Sequence, residues 1–103
     1  MEFPLHPLPN KTTFTIYTKS NCIYCDKVKL LFDSKNKNYE IINCDKFLEN
    51  EINKQEFLEF IKNLTNKEWK TFPIVFHEGE FVGGFNETNI FLEKMDAFDN
   101  VFV

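Results

Sequence analysis

The chain contains no arginine; all twelve of its basic residues are lysines. Without a guanidinium there is no rigid fork for bidentate capture of carboxylate or phosphate, so any anion has to be captured locally. Clustered positive charge is also lacking. No basic run exceeds two residues and the formal net charge is −4, which excludes a broad nucleic-acid or anionic-membrane footprint. Long apolar runs are missing as well. The first ten residues, "MEFPLHPLPN", hold three prolines and no continuous apolar stretch, and read as neither a signal peptide nor a membrane span. Cysteine is scarce: three residues, an odd number, not spread as a disulfide framework would be. That usage points to a reducing, cytoplasmic setting, where a close cysteine pair is catalytic or metal-binding.

What is present is enough for one core. A chain of 103 residues favours a single domain, and thirteen phenylalanines supply much of its apolar volume. Residues 1–12 read as a short proline-rich lead and 13–103 as the domain. "TFTIYTK" (13–19) alternates and is rich in β-branched and aromatic residues, as a strand is. From Cys25, Val28, Leu31 and Phe32 mark one face of a helix ending near "SKNKN". "YEIINCD" (39–45) reads as a second strand, with Cys44 inside it as a plain buried thiol. A second helix follows through Phe57, Phe60, Ile61 and Leu64. "PIVFHEGEFVGG" (73–84) reads as two short strands about a turn near Gly79. A last helix runs from Asn86 through Ile90, Phe91 and Met95, with "AFDNVFV" as a tail. The order β-α-β-α-β-β-α predicts a right-handed parallel βαβ unit, then a hairpin, with helices on both faces of the sheet.

Chemistry concentrates at Cys22-Ile23-Tyr24-Cys25. Cys22 follows a strand where a helix begins, so its sulfur lies near free backbone N–H groups and the positive end of the helix dipole. Such placement lowers a thiol pKa from about 8.5 to about 3.5–7.5, leaving a usable thiolate near neutrality. Lys19 and Lys27 are the cations at hand to add to that effect. Cys25, one turn deeper on the face of Val28 and Phe32, is expected to be buried and protonated. Residues three apart on a regular helix hold their Cβ atoms about 5–6 Å apart, against about 3.5–4.5 Å in a disulfide. Cys22 therefore has to stand just outside the helix for the pair to close, which favours a cycling redox centre. Two other readings stay open from the pair alone: a zinc site drawing on Cys44, His6 or His77, and two structural thiols with no chemistry.

Two distant features complete a pattern. "TFP" (71–73) starts a strand with proline, where its missing N–H is tolerated. "VGGFNE" (82–87) sets paired glycines before a helix that Asn86 could cap, an arrangement that lets a ligand backbone approach and attracts a carboxylate. "YTKSNCIYC", "TFPIVF" and "VGGFNE", in that order and over roughly residues 13–96, resemble the glutaredoxin family of the thioredoxin-like superfamily. Tyr24 directly before the second cysteine is the glutaredoxin-like choice.

The resemblance implies an α/β fold of the thioredoxin-like type, a four-stranded mixed sheet flanked by three helices, with Pro73 after a cis peptide bond. It implies a monomeric, glutathione-dependent thiol–disulfide oxidoreductase with Cys22 as nucleophile and Cys25 as resolving thiol. Its partners would be glutathione and disulfide-containing or glutathionylated proteins. Glutathione would lie between "TFP" and the paired glycines, against Tyr24, Thr71, Phe72, Pro73 and Gly83. The Phe72 backbone would pair with its cysteinyl unit and Lys19 would meet its glycine carboxylate. Gly84, Phe85 and Asn86 would offer N–H groups to its γ-glutamyl carboxylate, and Glu87 would face the ammonium. Lysine, helix N–H groups and an acid are also what two carboxylates and one ammonium require.

Three positions depart from the pattern. Ile23 stands where many dithiol members have proline, Phe72 where valine is common, and Glu87 is one methylene longer than the usual aspartate. Loss of the proline alters the turn and the redox potential, and makes a dimer around a glutathione-ligated [2Fe–2S] cluster conceivable, though not the favoured reading. A thioredoxin-like protein disulfide reductase is a further alternative. Trp69 is expected to cover the groove's edge, and Lys70 to be a second contact for the glycine carboxylate or a solvated lysine.

Overall fold

The computed structural model describes residues 6–101, with side chains through residue 98; residues 1–5 of the lead and 102–103 of the tail lie outside the described residues. The elements are β1 (Phe14–Thr18), α1 (Ile23–Ser34), β2 (Tyr39–Asn43), a 3₁₀ turn (Asp45–Leu48), α2 (Glu51–Thr65), β3 (Ile74–His77), β4 (Glu80–Gly83) and α3 (Phe85–Val101). The four strands form one mixed sheet in the order β2-β1-β3-β4. β1 and β2 pair in parallel, with Phe14 opposite Tyr39 and Thr18 opposite Asn43. β3 runs antiparallel to both β1 and β4, with Ile16 opposite Val75 and Phe76 opposite Phe81.

Alternation along the central strands builds two cores, because successive side chains point to opposite faces. Phe14 and Ile16 of β1 and Val75 of β3 pack with Val28, Phe32 and Leu92 under α1 and α3. Tyr17, Ile74 and Phe76 pack on the other face with Phe57 and Ile61 of α2. All five residues of β1 are buried, as expected of a central strand covered on both sides. β2 and β4 are the edges, and only one residue of each is fully buried.

Side chains and backbone conformation set the helix ends. Asn50 caps α2 by accepting the Asn53 N–H at 2.9 Å, and Asn66 ends it in the left-handed conformation, its N–H on the Lys62 carbonyl. Between β3 and β4, Glu78 and Gly79 both have positive φ, as in the type I′ turn of a two-residue hairpin.

The start of α1 at Ile23 leaves Cys22 just outside the helix, as expected, whereas boundaries move at α3 and β2. α3 starts at Phe85 and continues to Val101, so residues 97–101 are helical rather than a tail. Asn86 lies within α3 and does not cap it, because the first helical bond runs from the Thr88 N–H to the Gly84 carbonyl. β2 ends at Asn43. Cys44 follows the strand, gives its N–H to the Thr18 carbonyl and precedes the 3₁₀ turn. The described part of the lead packs on the domain. His6 sits among the rings of Phe47, Phe57 and Phe60, and the Pro7 carbonyl accepts the Tyr17 hydroxyl at 2.7 Å.

Candidate active site

The loop from β1 to α1 places the cysteine pair. Asn21 takes a left-handed φ of 56°, which asparagine tolerates better than most residues, and turns the chain into the helix. Cys22 is the N-cap of α1, in extended conformation, with the helix beginning at Ile23. Its sulfur accepts the Cys25 N–H at 3.2 Å, satisfying one of the free amides of the first turn. The two cysteines are bonded to each other, their Cα atoms 5.2 Å apart. Cys25 is buried beside Val28 and Phe32. Cys22 is half-buried.

The loop is held from outside by an acid that the sequence reading passed over. The Ser20 N–H donates to Asp45 Oδ1 at 2.8 Å, and the Ser20 hydroxyl donates to Oδ2. These bonds hold the Asp45 carboxyl below its usual range, with smaller help from the Asn43 side chain and Lys19. The strand register carries the signal that was missed. Thr18 pairs with Asn43 in parallel, so the residues two beyond each, Ser20 and Asp45, emerge side by side.

A groove of about 290 Å³ lies next to the pair. Its walls are Tyr24 from α1, Trp69 and Thr71-Phe72-Pro73 from the loop before β3, and Gly84-Phe85-Asn86-Glu87 at the start of α3. The Phe72–Pro73 bond is cis. Tyr24, directly after Ile23, reaches across to Phe85 with ring centroids 5.7 Å apart. Phe72 is braced from behind by Phe57, stacked at 5.9 Å. Glu87 folds back over the helix start, its Oε1 accepting the Gly84 N–H at 2.9 Å.

Ten positions were expected to serve a ligand, and eight of them line this groove: Tyr24, Thr71, Phe72, Pro73, Gly84, Phe85, Asn86 and Glu87. Lys19 and Gly83 are not among its lining residues. Lys19 Nζ stands over the Phe72 ring, 5.7 Å from its centroid, at the rim. Gly83 is buried under Glu87. Lys27 Nζ lies over the Tyr24 ring at 4.9 Å, a cation–π contact. Lys70 lines a smaller neighbouring pocket with Gln55, Leu58 and Lys62. Trp69 lines both pockets and packs edge-on to Phe81, and its indole N–H is buried without a hydrogen-bond partner.

Cys44 is free and fully buried, and burial pushes its thiol up to about 12. Among the described residues no three His, Cys, Asp or Glu side chains converge as metal ligands.

A central mixed sheet, a cysteine pair bonded across the start of α1 and a cis-proline loop facing a second helix start define a thioredoxin-like protein of the redox class. Comparison with known proteins narrows the class. The family model described as glutaredoxin matches residues 14–82. Glutaredoxin 1 of Rickettsia conorii is 40% identical over 72 residues, which are 70% of this chain and 64% of that protein. The chain belongs to the glutaredoxin family. It thus spans a little under two thirds of that Rickettsia protein's length, and 43% of the mitochondrial glutaredoxin-2 of cattle, with which it shares 32% identity over 74 residues, 72% of this chain.

Solved structures agree on the fold. That of glutaredoxin 1 from Francisella tularensis, complexed with cacodylate, superimposes with a TM-score of 0.67 over 80% of this chain and 93% of that one, at 24% identity. The buckwheat glutaredoxin–glutathione complex gives 0.61 over 85% of this chain and 73% of that one, at 26% identity.

Proposed function

We propose that the chain is a glutathione-dependent thiol–disulfide oxidoreductase acting on protein disulfides and glutathione mixed disulfides. The observation that carries this reading is the asymmetry of the pair beside the groove: Cys22 is a half-buried N-cap and Cys25 is buried behind it. In the reduced protein the Cys22 thiolate would keep the Cys25 N–H and the helix dipole as stabilising partners, whereas charge on Cys25 would lack water.

The Cys22 thiolate attacks the glutathionyl sulfur of a mixed disulfide. A new S–S bond forms to Cys22, the old one breaks, and the substrate leaves as a thiolate that takes up a proton. A glutathione thiolate then attacks the bound glutathionyl sulfur, releasing glutathione disulfide and the Cys22 thiolate. With a protein disulfide, the Cys25 thiolate attacks Cys22 in the mixed disulfide and frees the second substrate thiol. This leaves the Cys22–Cys25 bond, which two glutathiones reduce in turn.

Glutathione fits the groove by charge and shape. Lys19 at the rim suits its glycine carboxylate, and the Phe72 backbone suits pairing with its cysteinyl unit. The amides that open α3 suit its γ-glutamyl carboxylate, with Glu87 facing the ammonium. That buckwheat glutaredoxin forms a glutathione complex supports the same ligand here. No helix among the described residues is long and apolar enough to cross a membrane, and the free buried Cys44 suits a reducing, cytoplasmic setting.

Turnover of hydroxyethyl disulfide by glutathione tests the reading. Cys22→Ser should abolish it and Cys25→Ser should retain it. An active Cys22→Ser with a dead Cys25→Ser would reverse the roles, and a wild type inert with glutathione would end the proposal.

A further inference from the structure

Glu87 is the third residue of α3, and its carboxylate returns to the Gly84 N–H at 2.9 Å. This is half of a capping box. The reciprocal half is missing, because Gly84 has no side chain to accept the Glu87 N–H. Gly83 makes room for the seat: its φ is +138°, and a Cβ there would stand 2.6 Å from the Glu87 Cβ. The chain's own carboxylate thus occupies the first amide of the helix mouth that lines the groove. The amides of Phe85, Asn86 and Glu87 have no carbonyl within the helix to bond.

A second carboxylate arriving at this mouth has two options. It can displace Glu87 Oε1 from Gly84, or it can take the remaining amides beside a negative charge, and both weaken it. A ligand that carries an ammonium next to its carboxylate escapes the conflict, because Glu87 then faces a cation. We propose that Glu87 is a resident competitor at the anion-binding mouth of α3, which disfavours carboxylates that lack an adjacent ammonium. The proposal rests on the glutathione reading above and adds to it an active rejection of bare carboxylates. Pairing with the ammonium alone would leave the Gly84 N–H open, and Glu87 would then act on such ligands through its charge only.

Calorimetric titration separates the two. The probes are S-methylglutathione and its analogue with hydrogen in place of the α-ammonium. Glu87→Gln keeps an oxygen for the Gly84 N–H and removes the charge, so the analogue should bind it about tenfold more tightly than wild type. Glu87→Ala also frees the amide and should bind the analogue more tightly than Glu87→Gln. Thermal melts confirm that both variants are folded. Analogue binding that is no tighter in the variants than in wild type, or no tighter in Glu87→Ala than in Glu87→Gln, overturns the competitor role, whatever happens to S-methylglutathione. A wild type that binds neither probe overturns the glutathione reading, and this inference with it.

Discussion

Ser20 and Asp45, twenty-five residues apart, are joined by two hydrogen bonds that tie the loop carrying Cys22 to the end of β2. Asp45 is itself fixed, its N–H on the Asn43 side chain at 3.0 Å. The position of Cys22 therefore depends on a carboxylate that is not part of the cysteine motif.

Removing that carboxylate should cost activity. Asp45→Ala is expected to lower kcat/KM for hydroxyethyl disulfide roughly tenfold through misplacement of the loop. Asp45→Asn, which keeps an acceptor for the Ser20 N–H, should recover part of it. Equal activity in all three proteins would show that the loop is held without Asp45.

The same contact gives an acid dependence. The folded-state pKa of Asp45 is depressed, chiefly by the Ser20 bonds. Its stabilisation is then fully present above the unfolded aspartate value of about 3.9 and is lost as pH falls through the lower folded value. Urea midpoints measured between pH 5 and pH 2 should fall less steeply in Asp45→Asn than in wild type.

His6 works in a higher window. Burial lowers its pKa against a smaller opposing pull from Glu56, so the fold prefers the neutral ring among Phe47, Phe57 and Phe60. Its contribution is present above the unfolded value of about 6.5 and fades as pH falls through the folded one. His6→Gln should flatten the stability profile between pH 7 and pH 5, and an unchanged slope would mean that the ring is not held neutral.

Phe57 couples core to site. It is fully buried and stacks on both Phe47 and Phe72. Phe57→Ala should cost about 3–5 kcal/mol in urea unfolding and raise KM for glutathione as the loop of Phe72 loses its support. Phe32→Ala, buried on the opposite face of the sheet, should cost a similar amount with less effect on KM.

Cys44 should stay silent. With its pKa pushed up to about 12 and no exposed surface, it offers almost no thiolate at pH 8. The reduced native protein should release two equivalents of thionitrobenzoate from Ellman's reagent quickly, one as Cys22 attacks the reagent and one as Cys25 resolves the adduct, and a third only in denaturant. Three fast thiols would mean that the face under α2 opens.

Much of this was legible along the chain, because period and punctuation are local properties. Val28 and Phe32 recur at helical spacing and are buried, and Pro73 and Gly79 mark the start of a strand and a tight turn. Ends were less legible. Asn86 looks like a cap, yet α3 begins one residue earlier because the Gly84 carbonyl already accepts the Thr88 N–H, while the Gly84 N–H donates to the Glu87 carboxylate. Cys44 sits in a strand-like run, but pairing in β2 stops at Asn43 where the chain bends into the 3₁₀ turn.

The sequence by itself determined the redox chemistry and the order of elements. Two cysteines at a strand-to-helix junction, with buried faces at fixed periods, carry that information within a few residues of one another. Only the tertiary structure decided what surrounds Cys22. Strand register sets Asp45 beside Ser20, and chain crossing sets the Thr71-Phe72-Pro73 loop opposite the start of α3. Such contacts join residues more than ten positions apart, and their geometry comes from how the sheet pairs and the helices pack, which no local pattern encodes.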